Sequence, residues 1–233
     1  MSNSTQTAII TGASRGLGLE LARALARRGW RLVIDARTER ELESARAELA
    51  ALTEVVAVAG DVADSWHRGQ LAEVAGERID LLVNNASSLG ASPLPPLGEY
   101  PLDVLEQVFR VNAIAPLGLV QLVLPRLADG GRIVNVGSDA AVEAYEGWGG
   151  YGASKAALEH LTAVLAVERP DLRVYAVDPG DMNTRMHQEA NPGEDISDLP
   201  SPRESVPGLL RLLEADVPSG RYRAAELAAA THA

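Results

Sequence analysis

The sequence predicts an α/β protein built on a doubly wound parallel sheet, with helices on both faces. Three observations carry that prediction. Short apolar, β-branched runs alternate six times with longer amphipathic stretches. Those short runs are apolar almost throughout rather than at every second residue, as strands covered on two faces must be. A glycine-rich turn, "TGASRGLG" (11–18), joins the first run to the first amphipathic stretch.

The first strand is "TAIIT" (7–11), followed by a helix from Gly16 to Arg28. Strand "RLVID" (31–35) precedes a charge-rich helix from Thr38 to Leu52. Strand "VVAVA" (55–59) precedes a helix from Ser65 to Ala75, and strand "DLLVN" (80–84) a long helix from Leu102 to Leu127. Strand "RIVNV" (132–136) leads to a helix from Tyr151 to Val167, and strand "RVYAV" (173–177) to an irregular segment. That segment contains "NPGEDISDLPSP" (191–202), rich in proline, glycine and acid. Only about 30 residues follow it, too few for a second core, so 1–233 reads as one domain in which 185–205 forms a loop over a site. A helix from Ser205 to Glu214 and an edge strand near "GRYRA" (220–224) close the fold.

Composition excludes several roles. The 233 residues carry 32 acidic and 21 basic side chains, a formal charge of -11, and no basic run. Such a surface repels nucleic-acid phosphates and anionic membranes. There is no cysteine, hence no disulfide, thiolate zinc site or catalytic thiol. The N-terminus shows no signal-peptide pattern, and a cytoplasmic protein is expected. The apolar stretch "NAIAPLGLVQLVLPRL" is broken by Pro116, Gly118, Gln121 and Pro125, and reads as a buried helix. His67, His160, His187 and His232 lack metal-ligand spacing and read as core or surface histidines, so no metal is expected.

The glycine turn points to a dinucleotide. Gly12 suits the tight bend leaving the strand, Gly16 a close approach of backbone to ligand, and Gly18 close packing of helix on sheet. The helix N-terminus offers free N–H groups and a positive dipole end to a pyrophosphate. At the second strand's end the position that usually carries a ribose-binding acid is Ala36, followed by Arg37. Arg37 and Arg15 suit a 2′-phosphate through bidentate hydrogen bonds, so NADPH is expected over NADH, although Asp35 lies nearby. Asp61 in "GDV" could accept from the adenine amino group, or simply shape a turn.

Lys155 is the single lysine among 21 basic residues, four positions after Tyr151. Residues four apart share a helix face. A nearby ammonium favours the phenolate, making the pair a proton donor and acceptor. Ser138, just after the fifth strand, falls where strand C-termini face a ligand crevice and could polarise a carbonyl. Pro116 has no N–H, so the Asn112 carbonyl four residues earlier loses its helical partner; a water there would link it to Lys155.

Together "TGASRGLG", "NNAS" (84–87), Asn112, Ser138, "YGASK" (151–155) and "DPGDMNT" (178–184) resemble the short-chain dehydrogenase/reductase family, from Thr7 to about Ala224. The resemblance implies a Rossmann sheet of seven parallel strands. It implies Tyr151 as general acid/base, Lys155 as holder of the nicotinamide ribose, Ser138 as orienter of the substrate oxygen and Asn112 as anchor of a proton relay. It implies NADP(H) contacts from Gly12, Ser14, Arg15, Gly16, Leu17, Gly18, Arg37, Asp61, Val62, Asn85, Ala86 and Ser87. Tyr151, Lys155, Pro179, Gly180, Met182 and Thr184 complete that set. Ser87 stands where the family usually has glycine, and the C-terminal part is short. The implied activity is hydride transfer between nicotinamide and a small carbonyl or secondary alcohol. Ser138, Tyr145, Trp148, Tyr151 and Met186, with Met182 and His187, would border a partly apolar substrate. The family's dimers and tetramers imply a homo-oligomer through the helices near 102–127 and 151–167. A non-catalytic dinucleotide sensor of the same fold is the alternative, and it would not need the Ser138, Tyr151 and Lys155 set.

Overall fold

The computed structural model describes residues 5–230, so His232 lies outside the described residues. Its strands are β1 (Thr7–Ile10), β2 (Arg31–Ala36), β3 (Val55–Ala59), β4 (Ile79–Asn84), β5 (Leu127–Val136), β6 (Arg173–Asp178) and β7 (Gly220–Arg223). Its helices are α1 (Gly16–Ala26), α2 (Glu39–Leu49), α3 (Ser65–Ala75), α4 (Leu102–Phe109), α5 (Ala115–Val123), α6 (Gly149–Glu168), α7 (Arg185–Ala190), α8 (Val206–Glu214) and α9 (Ala224–Ala229). All seven strands lie parallel in one sheet, in the order β3-β2-β1-β4-β5-β6-β7. This is the Rossmann-like doubly wound sheet expected from the alternation of strand and helix.

Each central strand feeds two cores because successive side chains point to opposite faces. In β1, Ala8 and Ile10 join Leu21 and Leu25 of α1 and Leu212 of α8. Ile9, between them, joins Leu71 of α3 and Leu119 and Val123 of α5. In β2, Leu32 and Ile34 face the first core and Val33 the second. The near-continuous apolar runs are therefore two interleaved patterns of period two.

Four elements depart from the sequence reading. The helix expected over 102–127 is two helices joined by a wide turn over Arg110–Ile114, in which the Ala115 N–H donates to the Arg110 carbonyl five residues back. Pro116 has no N–H to offer and crowds the preceding turn, so the backbone opens by one residue ahead of it. The chain then makes a short 3₁₀ turn (Leu124–Arg126), and β5 already starts at Leu127. Helices α7 and α9 were not expected; α7 converts the first part of 185–205 from loop to helix.

The order of strands reverses between β1 and β4, both of which start connections that diverge to opposite sides of the sheet. A cleft opens at the C-terminal ends of strands flanking such a point.

Candidate active site

The glycine turn sits at that cleft. Gly12 has φ +66° and Gly16 φ +57°, values that side chains other than glycine's rarely tolerate. A Cβ on Gly12 would come within 2.9 Å of the Ala86 Cα, and one on Gly18 within 2.5 Å of the Gly12 carbonyl oxygen. Gly18 does not border the cleft; it lets α1 seat against the turn. The start of "NNAS" clamps the turn from the other side. The Asn85 and Ala86 N–H groups donate to the Thr11 hydroxyl, each at 3.0 Å, and the Asn85 side-chain amide donates to the Thr11 and Gly12 carbonyls.

Asp35 is directed inward. One carboxylate oxygen accepts the Gly12 N–H at 2.7 Å, and the other lies 2.9 Å from Nε2 of buried His67. The acid that complicated the reading of the adenosine end is thus committed to internal donors.

A cavity of about 1030 Å³ runs from this turn along the strand ends. Ser14, Arg15, Gly16 and Leu17 border it, as do Arg37, Asp61 and Val62 on the adjoining loops. Asn85, Ala86 and Ser87 line its middle, and Pro179, Gly180, Met182 and Thr184 its opposite wall. At the far end it is bordered by Ser138, Tyr145, Trp148, Tyr151, Lys155, Met186 and His187. Of the implied catalytic, cofactor and substrate residues, Gly18 and Asn112 alone stand outside the lining. Arg15 pairs with Glu41 at 3.0 Å, while Arg37 is exposed with no hydrogen-bond or ion-pair partner among the described residues. Asp61 accepts the Ala63 N–H, the geometry of a side-chain-closed turn, while remaining exposed at the cavity.

Tyr151 and Lys155 project together from the start of α6, both buried. The Lys155 Nζ lies 5.6 Å from the Tyr151 ring centroid and donates to the Val136 carbonyl at 2.7 Å. The expected acidification of the phenol by this ammonium does not appear in the described chain. Burial pushes the phenol up to about 12, against the weaker opposing pull of the Ser138 and Ser87 hydroxyls. The same burial draws the ammonium down to about 8. In water-excluded surroundings both groups favour their neutral forms more than they would in solvent.

Asn112 lies at the wide turn and is fully buried. Its side-chain oxygen accepts the Ser88 N–H at 2.8 Å and the Ser87 hydroxyl at 3.2 Å, and its amide donates to the Ser88 carbonyl and the Ser154 hydroxyl. Its side chain therefore holds the segment after β4 against α6, next to Tyr151. The serine at 87, unusual for the resemblance, makes part of this contact. Ser138 donates to Asp139 at 3.0 Å and accepts the Ala140 N–H. Tyr145 donates toward Asp139 and Glu143, which hold its phenol up.

Sequence reasoning missed Asp139, which no motif flagged, and His67, which was read as an ordinary core or surface histidine. It also missed Leu89 and Leu94, which pack with Trp148, Met186 and Ala190 around Tyr151. Spacing gives no signal for these, since Leu89 and Leu94 lie on the connection after β4, Asp139 lies after β5 and His67 lies on α3.

The donor set fits a dinucleotide. Two left-handed glycines cradle the turn before a helix N-terminus, a free guanidinium lies at one end, and a tyrosine and lysine lie at the other. The fold and cleft define an oxidoreductase of the doubly wound, dinucleotide-dependent class. A family model described as short chain dehydrogenase matches residues 6–195, and the chain belongs to that family. Benzil reductase ((S)-benzoin forming) of Saccharomyces cerevisiae is 35% identical over 195 residues, covering 78% of this chain and 73% of the relative. The rhamnolipids biosynthesis 3-oxoacyl-[acyl-carrier-protein] reductase of Pseudomonas aeruginosa is 32% identical, covering 95% and 86%. A solved short chain dehydrogenase of Shigella flexneri, complexed with NADP, superposes with a TM-score of 0.85 at 30% identity, covering 94% of this chain and 97% of that one.

Proposed function

We propose that the chain is an NADP(H)-dependent reductase of small carbonyl compounds, reversible toward secondary alcohols. The observation that carries this reading is one continuous cavity joining the glycine turn to Ser138, Tyr151 and Lys155. NADP(H), when bound, supplies or accepts the hydride. Arg37 and Arg15 would hold the 2′-phosphate, the glycine turn and α1 the pyrophosphate, and Tyr151 and Lys155 the nicotinamide end. The NADP in the Shigella flexneri structure supports the choice of dinucleotide.

The chain's own proton chemistry follows from the burial of its acid. A phenol held up near 12 is protonated at neutral pH, ready to donate to a carbonyl oxygen as negative charge grows there. The Ser138 hydroxyl, which donates to Asp139 in the described chain, would turn its one proton to the same oxygen when the carbonyl compound binds. Lys155, drawn down to about 8, can lose and regain a proton near working pH. A water on the Asn112 main-chain carbonyl would connect it to solvent. The apolar wall of Leu89, Leu94, Trp148 and Met186 favours a carbonyl flanked by apolar groups, and the benzil reductase relative supports that class. Segment 185–205 would form the substrate-facing wall. Assembly would use the exposed Ile114, Leu122, Val164 and Val167 of the wide turn, α5 and α6.

The test is NADPH oxidation across a panel of aryl and alkyl ketones, with the Tyr151→Phe variant in parallel. The variant should bind NADPH and lose about 10²–10⁴-fold in kcat. Turnover near that of the unaltered protein would end this reading.

A further inference from the structure

His67 stands outside every motif, yet among the described residues it is the only side chain that hydrogen-bonds the second carboxylate oxygen of Asp35. Asp35 borders the same end of the cavity as Arg37 and Arg15. Its first oxygen holds the Gly12 N–H at 2.7 Å, and its main-chain carbonyl accepts the Ala13 N–H at 2.9 Å. Asp61, the other carboxylate nearby, repels it. The His67 ring is buried, its Nδ1 has no partner among the described residues, and it packs against Gly60, where a Cβ would come within 2.3 Å of Nδ1. The one hydrogen bond the ring makes among the described residues is the Nε2–H donated to the Asp35 carboxylate. The site is thus shaped for one task, donation to Asp35.

We infer that His67 is a positioning residue for cofactor selection. By occupying the second Asp35 oxygen it keeps that carboxylate turned away from the adenosine ribose, so that a 2′-phosphate meets Arg37 rather than a negative charge. This rests on the reading that the glycine-turn end of the cavity holds the adenosine half of NADP(H). An unmasked carboxylate at that end would repel a 2′-phosphate and accept ribose hydroxyls, the arrangement that favours NADH.

The experiment is equilibrium binding of NADPH and of NADH without substrate, by fluorescence, with circular dichroism confirming the fold. The unaltered protein binding neither dinucleotide would defeat the proposed function itself. Given binding, His67→Leu should lower the preference for NADPH over NADH by about tenfold or more, since like charges are then apposed. His67→Gln, which keeps an N–H donor, should restore the preference to within about threefold. The double variant His67→Leu, Asp35→Asn carries no charge at the pair and should also restore it, even where the single leucine variant fails to fold. A leucine variant with unchanged preference, or a double variant whose preference stays low, would overturn the inference.

Discussion

The two ends of the cavity are held by different means. At the glycine-turn end, Gly12, Thr11, Asn85, Asp35 and His67 are joined through main-chain groups and buried side chains. At the far end, Tyr145, Asp139 and Glu143 are joined through side-chain oxygens near solvent, and Arg223 reaches Glu143 at 3.4 Å. Buried pairs in a low-dielectric interior are costly to break, whereas exposed pairs contribute little. The first end can therefore hold one ligand shape rigidly, and the second can change its side chains without loss of the fold. Substitutions at the first should register in stability, and those at the second in substrate kinetics.

Gly18→Val gives the largest expected effect. Its Cβ would overlap the Gly12 carbonyl at 2.5 Å and crowd the Ala13 Cα at 3.1 Å, both backbone and unable to yield. A loss of about 4 kcal/mol in stability is expected by denaturant unfolding, with dinucleotide binding lost. A well-folded variant that still binds would show the turn to be pliable and dissolve the contrast.

Lys155, the buried cation of the far end, is tested by pH. Its ammonium is drawn from 10.5 to about 8 by burial, so between those values the unfolded chain holds the proton that the folded chain has released. Stability of the ligand-free protein should rise over that window by about 3 kcal/mol in total, and be lost as pH falls through about 8. Tyr151, held up to about 12, acts in the opposite sense only above pH 10. Melting curves from pH 7.5 to 10 should climb for the unaltered protein and lie flat, relative to it, for Lys155→Met. Parallel curves would mean that Lys155 is solvated.

Asn112→Ala comes next. Ser88 loses both main-chain partners that the amide supplies, and Ser154 loses a donor. About 2 kcal/mol of stability should be lost, together with a fall in kcat, because the segment after β4 borders Tyr151. Unfolding and turnover measured on one sample separate the two effects.

How much of this was legible in the sequence follows the same division. Gly12, Gly16 and Gly18 were readable because backbone torsion and close approach tie glycine to fixed positions along a chain. Tyr151 and Lys155 were readable because helical spacing alone brings them to one face. The inward turn of Asp35, on β2, was not, since its partner lies 32 residues away on α3. Nor was the wide turn at Arg110–Ile114: Pro116 signalled a break in the ladder, but not whether the backbone would kink or widen. The apolar wall around Tyr151 comes from the connection after β4, from the residue before α6 and from α7, and no local period links Leu89, Leu94 and Met186.

Tyr145→Phe is the smallest effect and the one most specific to the far end. Tyr145 is 43% exposed, and its hydroxyl ties Asp139 to Glu143. Removing it frees one Asp139 oxygen while the other still accepts from Ser138. The melting temperature should not move, because the pair is solvated on both sides. The specificity constant should fall less than about tenfold, mainly through KM, as the acid beside Ser138 gains freedom. A shift of several degrees in melting would mean that these exposed oxygens carry the fold as the buried ones do, and the difference between the two ends would then be one of position and not of construction.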